Sequence, residues 1–400
     1  MRTEVAVVGG GPAGLIAARE LASKGVQVKV FEEHPEIGTP NHCAGILSVE
    51  GLKRIGVELD LKFLRHEING GTAFAPDGTG IRITGSRTRA YIVDRAIFDR
   101  HLAETARDAG AEIERNHRIL DFIYEDGRVA GIRGDLDVEA SMVIDAEGAS
   151  GVLARKAGLP RPGGGVLAGI NANVTDAQLE PGMVEVWFGE GLADGLFAWA
   201  VPAGEDEARC GLATGKGDAL ELLRGFIKNR FGLTEFGEPA RWPVLTGGPV
   251  DKTHGDGLLL VGDVAGHTKP TTGGGVILGG MCAMMAAETA IQALEEEDYS
   301  AGFLGRYDER WREALGGEFS SMLGMRRFLN SLPDPRMNRI FASVKSAGLE
   351  ATLETFIDEG DMDLQSGVLR KALTHPGMLR VMTSSLGRLA LGELRGLFNL

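Results

Sequence analysis

Three glycines at positions 9, 11 and 14, followed by an acid at position 32, are the first residues of this 400-residue chain whose types and spacing could do chemistry. In GGGPAG (9–14), Gly9 suits a tight turn, Gly11 lets the backbone approach a diphosphate, and Gly14 lets a helix pack closely on its strand. The free N–H groups and positive dipole end of that helix would meet the phosphates. Glu32, 23 positions after Gly9, ends the next apolar run, where a carboxylate can accept hydrogen bonds from an adenosine ribose. Binding of an adenine dinucleotide is the chemistry this spacing points to. The alternative, a glycine turn without a ligand, would not require the strand, helix and strand that surround it.

Two later segments return to the same theme. MVIDAEGASG (142–151) and GLLLVGDVAG (257–266) both read as strands that deliver an Asp-and-Gly turn to one sheet edge. Asp263 precedes PTTGGG (270–275), whose glycines could pass under a flat ring or a diphosphate before a helix over 279–297. Taken alone, Asp263 could equally be a helix N-cap.

These residues need elements to hold them. Thr3–Val8, a helix over 12–24 and a strand over 26–32 make a βαβ unit. Residues 66–92 (Gly71–Phe74, Gly80–Thr84, Arg89–Ile92) and 166–215 alternate in short runs, EVWFG (185–189) and LFAWAVP (196–202) among them, and read as a second sheet inserted into the first domain. From Tyr299 the apolar spacing turns helical. The expected fold is α/β: a Rossmann-type dinucleotide-binding domain (1–65, 93–160 and 250–298), an inserted antiparallel-sheet substrate domain (66–92 and 161–249), and a C-terminal helical lobe (299–400).

Composition excludes several classes. Glycine, 59 of 400 residues, is roughly twice the usual share, yet hydrophobic residues at 43% and charged ones at 24% are ordinary globular values. A net charge of −14, spread along the chain, argues against nucleic acid as a partner. Three scattered cysteines (43, 210, 282) without a C-x-x-C pair fit a reducing, cytoplasmic setting and imply no metal site. No secretory pattern opens the chain, and the uncharged stretch 270–287 is glycine-rich, as expected of a loop entering a buried helix rather than a membrane span.

On GGGPAG with Glu32, DRAIFDRHLAETARDAGAEI (94–113), IDAEG (144–148) and GDVAGHTKPTTGGG (262–275), the chain resembles FAD proteins of the p-hydroxybenzoate hydroxylase type. PEIGTPNHCAG (35–45) and LFAWAVP make it similar, within that group, to the geranylgeranyl reductases, including those acting on archaeal digeranylgeranylglycerophospholipids. It departs from their motifs at His42, where the family carries Arg, and at Phe197 and Val201, which replace Tyr and Phe. The resemblance implies FAD as cofactor, contacted by Ala13, Glu32, Cys43, Ala44, Gly45, Arg95, Leu120, Asp263, Gly275 and Val276 beside Gly9, Gly11 and Gly14. Arg95 would clamp diphosphate or ribityl oxygens.

The reaction it implies is hydrogenation of isolated C=C bonds of geranylgeranyl chains in diether phospholipids, by hydride from reduced FAD plus a proton, an oxidoreduction at CH–CH groups. Cys43 would donate the proton or position the alkene, against the reading of a small buried hydrophobe. His42 and His267 are further candidates for the proton, against ordinary loop histidines. Phe197 and Trp199, with Trp187 and Phe188, would line a dry tunnel for the lipid. Without a second glycine fingerprint, electrons would come from an external donor, reduced ferredoxin or NAD(P)H. An FAD-dependent aromatic monooxygenase and a flavoprotein electron carrier to a quinone share the same FAD motifs and stay open as alternatives. The tail 379–400, with Leu386, Leu389, Ala390, Leu394 and Leu397 on one helical face, would pack on protein or rest peripherally on the inner membrane face.

Overall fold

The run TEVAVV is apolar on both of its faces, and such a strand is stable only when covered on both sides. The structure is a computed structural model that describes residues 1–386, and in it Arg2–Val8 is the centre of a parallel sheet. Val28–Glu32 and Val138–Asp145 pair with it in parallel on either side, and Glu112–Arg115 and Leu258–Leu260 extend the sheet outward. The strand order therefore reverses at Arg2–Val8 and brings the carboxyl ends of four strands to one crevice, where open α/β sheets bind ligands.

The covering layer is helical. Pro12–Ala22 buries Leu15, Ile16, Ala18 and Leu21. Arg95–Asp108 is capped by Asp94, whose Oδ1 accepts from the Ile97 amide at 3.1 Å. Val276–Glu296 is long and apolar enough to cross a bilayer by length and composition. Its glycines instead press it into the core: a Cβ on Gly280 would meet Ile16 at 2.8 Å and Ile55 at 2.9 Å.

The second sheet has seven strands in the order Ala240–Leu245, Val166–Thr175, Glu207–Thr214, Ala198–Gly204, Met183–Trp187, Gly70–Phe74 and Gly80–Thr84. It departs from the antiparallel expectation at one pair, since Met183–Trp187 and Gly70–Phe74 run parallel. The third run of 66–92 also departs. Ala90–Val93 joins a separate three-stranded sheet with Ile46–Ser48 and Leu64–Ile68. That small sheet places residues 43–45 and 95 next to each other.

Beyond residue 300 the described chain is helical: Ala301–Asn330, Asp334–Ser346, Glu350–Glu359, Ser366–Thr374 and Pro376–Leu386. The first is anchored by fully buried Tyr307 and Trp311, and the Tyr307 hydroxyl donates to the Leu260 carbonyl at 3.1 Å. Of the apolar face read over 379–400, residues 387–400 lie outside the described part of the chain.

Candidate functional site

The first turn is built by exclusion of side chains. Gly9 has φ +101°, and a Cβ there would run into the Ala146 carbonyl oxygen; one on Gly14 would run into the carbonyl oxygen of Gly9. Gly11 is different, because nothing lies within 4 Å of where its Cβ would be. The open space sits at the mouth of Pro12–Ala22, a helix with no side-chain cap, so its leading N–H groups are left to a ligand. A diphosphate fits this cradle.

Glu32 stands across the turn. Its Oε2 accepts from the Gly10 amide at 2.7 Å and its Oε1 from the His34 amide at 2.9 Å, which fixes the carboxylate while leaving lone pairs for a ribose. Leu120 lies on the ribbon that passes this end, where the His117 amide donates to the Glu32 carbonyl at 2.9 Å. Its side chain is 50% exposed and its own carbonyl accepts from Lys156 Nζ at 2.6 Å, so the structure sets it near the Glu32 end without bonding it to the other site residues.

A second uncapped helix start meets the first. A Cβ on Gly262 (φ +72°) would lie 2.9 Å from the Ala13 Cβ, and one on Gly275 would lie 2.6 Å from Asp263 Oδ1. Ala13, Asp263, Gly275 and Val276 thus converge where Pro12–Ala22 and Val276–Glu296 begin. Asp263 caps no helix; its turn closes through the Gly266 amide, which donates to its carbonyl at 2.9 Å. Burial pushes the Asp263 carboxyl up, and the charge of Arg95 opposes that shift.

Arg95 is the centre of a second cluster. Its guanidinium holds Asp99 through two bonds of 2.9 and 3.0 Å, a spacing of four residues along one helix. Burial works against its charge, but Asp99 and then the neighbouring Cys43 outweigh that and keep it cationic. Residues 43–45 are held from both sides. The Val93 amide donates to the Gly45 carbonyl at 2.8 Å, and Arg209 Nη1 donates to the Cys43 carbonyl at 3.0 Å. Asn171 Nδ2 donates to the His42 carbonyl at 3.0 Å. Sequence reasoning missed Asp99, Asn171 and Arg209. Only Asp99 left a local signal, its helical spacing from Arg95, because Asn171 and Arg209 act across more than 120 residues of chain.

The proposed substrate side is an aromatic wall facing Ala44. Phe197 and Trp199 lie 6.3 Å apart, Trp199 and Trp242 also 6.3 Å, and Trp242 is 5.3 Å from the His42 ring. Trp199 is buried, and its Nε1 has no hydrogen-bond partner among the described residues. Burial and then Arg95 push the His42 imidazole below its ordinary pKa, so it is neutral near pH 7. Phe188 meets Phe197 edge-on at 5.9 Å and Phe341 of the helical lobe at 6.1 Å. Trp187 corrects the expectation. It stacks on Phe74 at 3.8 Å in the cluster on the opposite face of the sheet, with Phe226, because successive strand residues face opposite sides.

His267 also departs from its expected role. Although it belongs to the 262–275 loop, its ring turns into the core between Trp311 (5.1 Å), Phe319 and Tyr307. Burial pushes its pKa down to about 3, and neither ring nitrogen has a partner among the described residues. The native state therefore binds fewer protons than the unfolded chain between about pH 3 and 6.5, and stability falls as pH falls through that window. Wild type is expected to lose about 2 kcal/mol from this group between pH 7 and pH 5, a loss absent from His267→Leu. Urea unfolding of both proteins at the two pH values measures the difference.

The comparisons with known proteins agree with this geometry. An FAD binding domain family matches residues 2–314. The digeranylgeranylglycerophospholipid reductase of Methanothrix thermoacetophila is 33% identical over 396 residues, covering 95% of this chain and 98% of that protein. Digeranylgeranylglycerophospholipid reductase 2 of Methanothermobacter thermautotrophicus is also 33% identical, covering 96% and 99%. Among solved structures, a geranylgeranyl bacteriochlorophyll reductase-like protein from Thermoplasma acidophilum superposes with a TM-score of 0.83 at 26% identity, covering 99% of both chains. A flavin-dependent brominase, at 17% identity and a TM-score of 0.69, shares the fold. One-third identity to the reductases over nearly the full length, on a fold with an FAD cradle at its switch point, places the chain: it belongs to the digeranylgeranylglycerophospholipid reductase family of FAD-binding oxidoreductases.

Proposed function

We propose that this protein hydrogenates the isolated C=C bonds of geranylgeranyl chains on a diether phospholipid. The observation that carries the reading is the packing of His42 and Ala44, on either side of Cys43, against the wall of Phe197, Trp199 and Trp242, with Arg95 beside Cys43, in a chain whose relatives are named as reductases of such lipids. An isolated trisubstituted alkene accepts a hydride poorly, so the site must supply a proton and keep water away. FAD, bound and reduced, supplies the hydride.

The chain's own residues do the rest. Arg95 and Asp263 orient the cofactor's polar chain, while the loop 43–45, pinned through its backbone, holds the thiol at a fixed height. The Gly45 amide donates to Cys43 Sγ at 3.4 Å, which fixes the sulfur beside Arg95 and leaves the S–H proton for the alkene. The aromatic wall excludes water. The electron donor is external, reduced ferredoxin or NAD(P)H, and the setting is cytoplasmic with a peripheral membrane contact.

Anaerobic incubation of the dithionite-reduced protein with a geranylgeranyl diether phospholipid tests the reading. Mass spectrometry is expected to show gains of two hydrogens per double bond; oxygen-dependent hydroxylation of an aromatic, without such gains, would overturn it in favour of a monooxygenase. For the membrane contact, flotation with vesicles is expected to be weaker for a chain ending at residue 386. Equal flotation removes the tail from that role.

A further inference from the structure

The two loops of the flavin side are joined to the helical lobe through one buried carboxylate. Asp363 lies in the turn between Glu350–Glu359 and Ser366–Thr374, and its side chain is 1% exposed. Its Oδ1 accepts from Lys269 Nζ at 2.8 Å and its Oδ2 accepts from the Ser48 hydroxyl. Ser48 ends the strand that follows Cys43–Gly45. Lys269 belongs to the other loop: its amide donates to the Gly274 carbonyl at 2.9 Å, and its carbonyl accepts from the Gly273 amide at 2.7 Å. Its stem crosses Gly274, with Cε 3.1 Å from where a Cβ on that glycine would lie. Met362, the neighbour of Asp363, packs into the cluster of Phe197 and Trp199.

Mechanical attachment does not require this charge pair. Arg54 already holds Asp361 at 2.5 Å, and Thr271 Oγ1 donates to Gln365 Oε1 at 2.8 Å. A buried ion pair is also a weak source of net stability, since desolvation offsets its attraction. A cation and an anion buried against a flavin loop do have one effect that apolar side chains lack: they set the local charge, and charge near the ring tunes a flavin's electronics.

We propose that Lys269 and Asp363 are positioning residues that balance the charge at the flavin loop and so set how readily the bound FAD accepts electrons. The proposal rests on the reading that residues 273–276 hold the flavin. Lys269 favours the added negative charge of the reduced cofactor, and Asp363 cancels most of that pull. Because Asp363 is attached to Met362, the lobe that meets the aromatic wall also holds the counter-charge in place.

Midpoint potentials of the FAD-loaded protein test this, with FAD dissociation constants and unfolding midpoints measured alongside. Asp363→Asn is expected to leave Lys269 uncompensated and raise the reduced-to-oxidised ratio about tenfold, about 30 mV for a two-electron couple. Lys269→Met with Asp363→Asn, which restores neutrality, is expected to return the potential to the wild-type value. FAD bound at unshifted potential in Asp363→Asn, or a shift that the second substitution does not cancel, would overturn the role of the pair alone. A wild-type protein that takes up no FAD would overturn the flavin reading and this proposal together.

Discussion

A Gly11→Ala variant is expected to fold with stability within about 1 kcal/mol of wild type and to lose FAD. The protein itself has nothing within 4 Å of the added methyl group, and the backbone there, at φ −79° and ψ 175°, is open to any residue. Alanine is a poorer N-cap than glycine, so a stability loss of up to about 1 kcal/mol is expected from the helix start itself. A diphosphate running past the helix mouth, however, would occupy the space the methyl takes. Loss of two charge-assisted hydrogen bonds at about 1.5–3 kcal/mol each corresponds to a fall in affinity of roughly 10²- to 10⁴-fold. Gly14→Ala is the control with the opposite signature. Its methyl group would strike the Gly9 carbonyl oxygen, so stability and FAD are expected to fall together. Titration of apoprotein with FAD and thermal unfolding without it separate the two cases, and a Gly11→Ala protein that keeps wild-type affinity would move the diphosphate elsewhere.

Cys43→Ala is expected to keep FAD and lose turnover by about 10²- to 10⁴-fold, the range for removing a positioned general acid. Retention follows from the geometry, because the loop is held through backbone groups, the Cys43 carbonyl by Arg209 and the Gly45 carbonyl by the Val93 amide. The loss follows from the position of Sγ beside Arg95. Rates of alkene reduction by pre-reduced protein, with flavin absorbance as the check on cofactor content, measure both. Turnover equal to wild type would make the thiol a packing group.

The loop 262–275 shows where reading the chain ran out. PTTGGG pointed to a backbone-lined loop, and Gly275 does lie against Asp263. Nothing in GHTKP distinguishes His267, which turns into the core among Tyr307, Trp311 and Phe319, from Lys269, whose side chain turns to Asp363. The partners of His267 lie on a helix that begins 34 residues later and that of Lys269 in a turn 94 residues later, and a single imidazole or ammonium carries no periodic pattern. Trp187 shows the same limit in a strand. Aromatic content marked it as a candidate wall residue, while a one-residue offset in the pleat sent it to the far face.

What the sequence determined by itself was local: the strand, glycine turn and helix of residues 2–22, the acid at 32, and a wall motif in which Phe197 and Trp199, two apart, share a face. Those follow from sterics within one short stretch, where a missing Cβ or a period of two leaves a readable mark. Tertiary structure alone decided that Arg95 meets Cys43 and faces Asp263, that Arg209 grips the loop 43–45, and that a carboxylate at 363 neutralises a lysine at 269. Each of those is an encounter between distant segments, set by how three sheets and a helical lobe pack, and a charge gives no sign in the sequence of which opposite charge it will be buried against.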